Sequence, residues 1–266
     1  MMAATVTQST TKTAEVLVTK IDDIGILTLN RPARMNAITT SLRNELIARL
    51  EAFNADDSVG AIVIKGAESN AFSSGQDLEE AAQIDWKTII SWQQAQKRMY
   101  DAVRELDKPC VIQVDGVCAG AGFHIALLAD WRVATPESRW GQPEVKVGLA
   151  SITGPHFMSL HIGNTHNVQL SVMADLISGQ RAYEMGLISE LTSPELLAET
   201  AMRQARKLAT LPRTAVRLTK QRLRAVSQQA YDDACVAGIR AQLECFEAGE
   251  PQKLMSEFLK RRKNHA

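Results

Sequence analysis

The first two thirds of the chain contain two kinds of hydrophobic pattern, short strand-like runs and segments of helical periodicity. Residues 15–18 and 26–30 are short β-rich runs on either side of a polar stretch with Gly25, a pattern typical of a β-hairpin. Residues 59–64 are a nearly continuous apolar run, as expected of a strand buried on both faces of a sheet. Residues 110–114, an apolar run, and residues 131–135 predict two further strands.

Segments of helical periodicity lie between these runs. Thr39 is one of three hydroxyl residues that offer an N-cap for a helix, and residues 86–106 predict a second helix that ends before Pro109. The first of these helices has apolar positions on one face at Leu42, Leu46, Leu50 and Phe53. Alternation of strands and helices indicates an α/β domain with a mostly parallel sheet.

Beyond residue 166 the pattern becomes helical. Residues 194–210, 212–228, 230–247 and 251–263 are helix-like, with breaks near Pro212, Gly249 and Pro251. Such a helical third either forms an oligomerisation element or caps the sheet. We predict a disordered tail at residues 1–13, an α/β core at 14–195 and a helical C-terminal oligomerisation region at 196–266.

Composition narrows the class of protein. The chain has 266 residues, 45% of them hydrophobic, with 30 basic and 30 acidic residues. That balance argues against a general nucleic-acid binder, and no apolar stretch approaches the ~18 residues that a membrane helix needs. The four cysteines form no C-x-x-C pair, and nothing near the N-terminus has the pattern of a signal peptide. We therefore expect a cytoplasmic protein with no nucleic-acid or membrane partner.

Two glycine-containing turns follow predicted strands and carry the candidate chemistry. Residues 72–78 follow the 59–64 run, and residues 116–124 follow the 110–114 run. Gly75 and Gly120 permit tight turns that expose the backbone N–H groups of Gln76 and Ala121. Two convergent donors are what an oxyanion hole uses, and His124 and Glu144 nearby are groups that can move protons.

Four segments occur in an order and spacing that resemble the crotonase superfamily, the enoyl-CoA hydratase/isomerase family. They are residues 30–37 (NRPARMNA), 72–78 (FSSGQDL), 116–124 (GVCAGAGFH) and 141–144 (GQPE). The resemblance runs from about residue 15 to the C-terminus. It implies a spiral core of ββα units, a helical C-terminal trimerisation region, and a homotrimer or a hexamer built from two trimers.

The same resemblance implies a site for an acyl-CoA substrate, with no prosthetic group and no metal. The thioester carbonyl is expected between the N–H groups of Gln76 and Ala121, where negative charge on the enolate oxygen is stabilised. The CoA channel is expected to be lined by Met35, Ala37, Asp77 and Leu78, with Phe258 and Arg261 supplied by a neighbouring subunit. A guanidinium is well suited to the phosphates of CoA.

One position departs from the family pattern. Hydratases of this family use two glutamates; Glu144 matches the second, whereas His124 stands at the position of the first. We expect Glu144 to be the principal acid/base. In the first turn of a helix, His124 is expected to be neutral near pH 7, and it either orients water or substrate or is a buried histidine with a structural role.

Three functions remain open at this point. The first is enoyl-CoA hydratase or isomerase chemistry through a thioester enolate. The second is a C–C bond hydrolase or lyase in which His124 activates water against a β-dicarbonyl substrate. The third is a non-enzymatic scaffold or RNA-binding relative with the same fold, which the balanced charge and the presence of Glu144 count against.

Overall fold

Two sheets organise the computed structural model, which describes residues 14–67 and 70–263. The first has six strands: β1 (Val16–Ile21), β2 (Ile24–Leu29), β3 (Ala61–Gly66), β5 (Cys110–Val114), β7 (Trp131–Ala134) and β10 (Glu190–Leu191), in that order across the sheet. The second has four: β4 (Ala71–Ser73), β6 (Val117–Ala119), β8 (Arg139–Gly141) and β9 (Ile177–Ser178). The β1–β2 hairpin is antiparallel, while β2, β3, β5, β7 and β10 run parallel, as the sequence predicts.

In the described ranges, helices alternate with the strands along the chain, and the last three helices follow the last strand. The helices are α1 (Thr40–Ala55), α2 (Leu78–Ala81), α3 (Ile89–Arg104), α4 (Ala121–Leu128), α5 (Thr153–Ser159), α6 (Asn164–Val168), α7 (Gly179–Glu184), α8 (Leu197–Ala209), α9 (Arg213–Ala248) and α10 (Glu250–Lys263). Thr39 caps α1 as predicted, because its side chain accepts a hydrogen bond from the N–H of Leu42. No helix of the described ranges is long and apolar enough to cross a bilayer.

The first sheet is covered on both faces. Ile62 and Ile64 of β3 pack in one core cluster with the apolar face of α1, and Val63 packs in another with Ala201 and Ala205 of α8. Alternate residues of the strand therefore meet different helices, which explains the continuous apolar run in the sequence. Helix α8 is thus a cover for the sheet, the capping alternative that the helical pattern left open.

The C-terminal helices differ in detail from their predicted limits. Helix α9 runs without interruption for 36 residues across the division expected near residue 229. The helical pattern expected beyond residue 166 is only partly formed at its start, since α6 is followed by a π-helical turn at Gln169–Met173 that ends at Ala174 with a positive φ of 55°. The predicted tail at residues 1–13 lies outside the described residues.

The second sheet carries the functional turns. Strand β4 leads to Gln76, β6 leads through Gly120 into α4, and β8 leads to Glu144. Because β4, β6 and β8 are parallel neighbours, their carboxyl ends lie at one edge of this sheet. The three predicted motifs are brought together there although 68 positions separate Gln76 from Glu144 in the sequence.

Candidate active site

All ten predicted site residues line one cavity of about 660 Å³. They are Met35, Ala37, Gln76, Asp77, Leu78, Ala121, His124, Glu144, Phe258 and Arg261. The volume is in the range of a small-molecule site, and the lining combines apolar side chains with a few polar groups.

The two glycine turns touch each other in the lining of the cavity. Gly75 and Gly120 have positive φ angles of 92° and 51°, and a Cβ on Gly75 would lie 2.9 Å from the carbonyl oxygen of Ala119. That approach requires glycine, as the sequence indicates. Neither the Gln76 N–H nor the Ala121 N–H donates to an acceptor in the described chain, and Ala121 begins α4, where backbone N–H groups lack helical partners. Both are therefore free to donate to a ligand.

Glu144 is the acid/base candidate in this cavity. It begins a short 3-10 helix, Glu144–Val147, directly after Pro143. Its Oε1 lies 3.8 Å from His124 Nε2, and its Oε2 has no hydrogen-bond partner among the described residues. Burial raises the pKa of Glu144 to about 7, so the protonated and ionised forms are both accessible at neutral pH.

His124 is buried and is hydrogen-bonded at both ring nitrogens. Its Nδ1 lies 3.1 Å from the Tyr100 hydroxyl, and its Nε2 lies 3.2 Å from Oε1 of Gln142. These partners assign one tautomer, in which the hydroxyl donates to Nδ1 and Nε2–H donates to the amide oxygen. Burial lowers the pKa of His124 to about 4, so the ring is neutral at pH 7 as predicted, although burial rather than the helix dipole is the main cause.

The hydrogen-bond chain continues away from the cavity beyond Gln142. Its Nε2 donates to Ser171 Oγ over 2.8 Å, and that hydroxyl donates to Oδ1 of Asn167 over 3.2 Å. Gln142 is completely buried, and a Cβ on Gly154 would overlap its amide oxygen and lie 2.6 Å from His124 Nε2. Close packing by Gly154 therefore holds the Gln142–His124 pair in place.

Asp77 contributes to the fold as well as to the cavity lining. Its carboxylate accepts from Nη1 of Arg31 over 2.9 Å and from the N–H of Glu79, which caps α2. Burial works against ionisation, but these hydrogen bonds outweigh it and keep the pKa of Asp77 below its ordinary value. The cap fixes the turn that carries Gln76.

Phe258 and Arg261 reach the cavity from α10 of the same chain. In the single chain, α10 starts just after α9 and packs back over the Glu144–Val147 helix; the contribution of these residues by a neighbouring subunit stays a prediction. The turn at Gly249, with a positive φ of 75°, reverses the chain between the two helices. Arg261 makes no ion pair within the described part of the chain, whereas Arg34, also in the lining, pairs with Glu79.

Several polar residues of the site carry no recognisable signal in the sequence. Tyr100 and Gln96 lie one turn apart on α3, and Gln242 lies on α9. Their helical spacing is typical of packing residues, and only the tertiary contacts bring them to the cavity. Gln142 does have a local signal, since it stands two residues before Glu144 in the 141–144 motif.

Comparison with known proteins agrees with this geometry. The enoyl-CoA hydratase/isomerase family profile matches residues 19–266. A probable enoyl-CoA hydratase of Rhizobium meliloti is 29% identical over 90% of this chain and 93% of its own, and a 2,3-dehydroadipyl-CoA hydratase of Escherichia coli is 30% identical over 88% and 89%. A solved enoyl-CoA hydratase/isomerase from Mycobacterium paratuberculosis superposes with a TM-score of 0.84 at 25% identity, over 92% of this chain and 98% of that one. The chain therefore belongs to the enoyl-CoA hydratase/isomerase family and is an acyl-CoA-processing enzyme of that type.

Proposed function

We propose that the protein moves a proton between carbons of an enoyl-CoA thioester through an enolate, and so shifts the double bond. The observation that carries this proposal is the carboxyl group of Glu144 beside two free backbone N–H groups, with His124, rather than a second carboxyl group, next to it and engaged at both nitrogens. Hydration by a pair of carboxylates needs a second acid or base to hold the water. A neutral histidine that already has two partners is poorly suited to that task.

The reaction follows from these groups. Ionised Glu144 removes a proton from C2 of a 3-enoyl-CoA, and the electron pair moves onto the thioester oxygen. The N–H groups of Gln76 and Ala121 stabilise that oxyanion; removal of one such donor typically costs about 2.7–4 kcal/mol. Glu144 then returns the proton to C4, the carbonyl re-forms, and a 2-enoyl-CoA is left. No water is consumed, so one acid/base is enough.

The mouth of the cavity suits the CoA carrier. Met35, Ala37 and Leu78 offer apolar contacts, and Arg261 is a cation without an ion-pair partner in the described chain, available for a phosphate. We propose that no prosthetic group takes part, because proton transfer and oxyanion stabilisation need only the residues named above.

The proposed reaction is tested by comparing 3-hexenoyl-CoA with 2-hexenoyl-CoA as substrates. We expect the purified enzyme to convert the first to the second at least tenfold faster than it hydrates the second to 3-hydroxyhexanoyl-CoA, as followed by chromatography of the CoA esters. Hydration at the faster rate would contradict the proposal. Exchange of the C2 protons of butyryl-CoA in D₂O reports enolate formation separately from either overall reaction.

A second prediction concerns the position of His124. In His124→Glu we expect hydration of crotonyl-CoA to rise relative to isomerisation, because the new carboxyl group stands beside Glu144 and restores the pair that hydratases use. The 3.8 Å between His124 Nε2 and Glu144 Oε1 is short enough for two groups to share one water. His124→Gln, which adds no acid or base, is the control. Equal hydration by both variants would mean that the pocket differs more deeply from a hydratase.

The pH dependence of the rate gives a third prediction. The pKa of Glu144 is about 7 and its ionised form is the base, so kcat/KM is expected to rise with pH to a plateau above 7. With its pKa near 4, His124 adds no second inflection between pH 5 and 8. A bell-shaped profile in that interval would indicate a second titrating group and would contradict the single acid/base.

The rival cleavage reaction receives less support. Activation of water by His124 requires an unprotonated nitrogen facing the substrate, yet Nδ1 accepts from Tyr100 and Nε2–H donates to Gln142. A homotrimer or hexamer stays a prediction; it is supported by Leu223 and Val226 of α9, which are 67% and 70% exposed in the single chain.

A further inference from the structure

The inner end of the cavity has a polar lining that the proposed reaction does not use. It is formed by one face of α3 with Trp92, Gln96 and Tyr100, by α9 with Gly238 and Gln242, and by the loop at residues 149–153. Tyr100 contacts His124, which contacts Glu144, so this end adjoins the reacting carbons. The acyl chain of a bound thioester would extend into it.

Three polar atoms at this end are buried without hydrogen-bond partners in the described chain. They are Oε1 of Gln96, Oε1 of Gln242 and Oγ of Ser151. Gln96 and Gln242 are only 4% and 6% exposed. The remaining amide group of Gln242 is fixed, since its Nε2 donates to the carbonyl oxygen of Ala150 over 2.7 Å. Buried polar groups without partners are uncommon in folded proteins, and several in one cavity point to a ligand that supplies the partners.

We propose that this end of the cavity selects an acyl chain with a neutral hydrogen-bonding group, such as a hydroxyl or a carboxamide, over a plain alkyl chain. The proposal rests on the acyl-CoA function proposed above and names its substrate class. The side-chain carbonyls of Gln96 and Gln242 accept hydrogen bonds from the substrate, and the Ser151 hydroxyl donates or accepts. A site built to hydrogen-bond a substrate group discriminates strongly against the analogue that lacks it, because its own buried groups are then left unpaired.

The charges of the cavity lining favour a neutral group over a carboxylate. Among the described lining residues the cations are Arg34, Lys146 and Arg261. None lies on α3, α9 or the 149–153 loop; Arg34 pairs with Glu79, and Lys146 pairs with Asp175. An acyl carboxylate at the inner end would meet amide oxygens and the nearby Glu144, and no described lining residue on these elements is a cation, which is unfavourable in a buried site.

The test measures binding of saturated acyl-CoAs, which carry no double bond to shift. Three esters of one shape are compared: the monoamide of adipyl-CoA, adipyl-CoA itself, and 6-methylheptanoyl-CoA. A second set has shorter acyl chains, so that the terminal group lies closer to the thioester. It consists of the monoamide of succinyl-CoA, succinyl-CoA itself and 4-methylpentanoyl-CoA. By isothermal titration calorimetry we expect the amide to bind at least tenfold tighter than both partners in one of the two sets. Equal or tighter binding of the alkyl ester in both sets would overturn the proposal.

Variants localise the effect. Gln96→Leu and Gln242→Leu are each expected to reduce the preference for the amide at least fivefold, while Gln94→Leu, an exposed glutamine on the same helix outside the cavity lining, leaves it unchanged. An unaltered preference in both cavity variants would also overturn the assignment. If circular dichroism shows that one variant does not fold, the other variant and the binding of the three esters by the wild type still test the proposal. Failure to bind butyryl-CoA at all would instead contradict the proposed acyl-CoA function.

Discussion

Glu144→Gln is expected to lower kcat/KM for 3-hexenoyl-CoA by about 10²–10⁴-fold, the usual contribution of a general acid/base. The amide keeps the size of the side chain but cannot take the proton from C2. Binding of saturated butyryl-CoA is expected to change little, since that ester carries no double bond to shift, and calorimetry checks this. A variant with full activity would remove Glu144 from the mechanism.

The same variant is expected to be more stable than the wild type at high pH. Glu144 has a pKa of about 7 in the folded protein, against 4.5 for an exposed glutamate, so between these values the folded state binds more protons than the unfolded one. The wild type therefore loses stability as pH rises through this window, on the order of 3 kcal/mol above pH 7. Glutamine has no charge to bury and escapes this loss.

Denaturant unfolding at pH 5 and pH 8 measures this effect on the free energy of unfolding. We expect the gain in Glu144→Gln to be larger at pH 8 than at pH 5. Glu137→Gln, at an exposed position outside the cavity lining, is the control and should show neither the gain nor the loss of activity. Low activity combined with raised stability cannot be attributed to misfolding. Equal stability of the variant and the wild type at pH 8 would contradict the burial of an ionised Glu144.

Gly154→Ala is expected to destabilise the protein by about 1–3 kcal/mol, the usual cost of overpacking a core. The added methyl group overlaps the amide oxygen of Gln142, which is completely buried. We also expect activity to fall, because Gln142 holds His124 beside Glu144. Thermal unfolding with the pH–rate profile measures both consequences.

Gly238→Ala provides a matched control in another helix. A Cβ there lies 3.8 Å from the nearest atoms, on Ile152 and Thr153, which is an ordinary contact. Because alanine favours a helix over glycine by about 1 kcal/mol, this variant is expected to be at least as stable as the wild type. If Gly154→Ala unfolds at the same denaturant concentration as Gly238→Ala, packing by Gly154 does not hold Gln142.

The strands and most helices could be predicted from local pattern because their burial is periodic. Residues 110–114 form β5 with the predicted limits, since both faces of this strand are covered and four of its five residues are apolar. Helix α9 was divided in the prediction because its sequence lacks a single apolar face over its length. Its buried residues are few, among them Tyr231, Gly238 and Gln242, and they are defined by contacts with α3 and the 149–153 loop.

The sequence by itself determined the family, the two glycine turns and Glu144, because each depends on residues adjacent in the chain. A positive φ at Gly75 or Gly120 is a local requirement, and a strand-to-helix turn depends on a few consecutive residues. Only the tertiary structure decided the state of these groups. The pKa values of Glu144 and His124 depend on burial, the tautomer of His124 depends on Tyr100 and Gln142, and α10 returns to its own cavity. Desolvation and hydrogen bonding are properties of surroundings assembled from distant parts of the chain, so no local pattern encodes them.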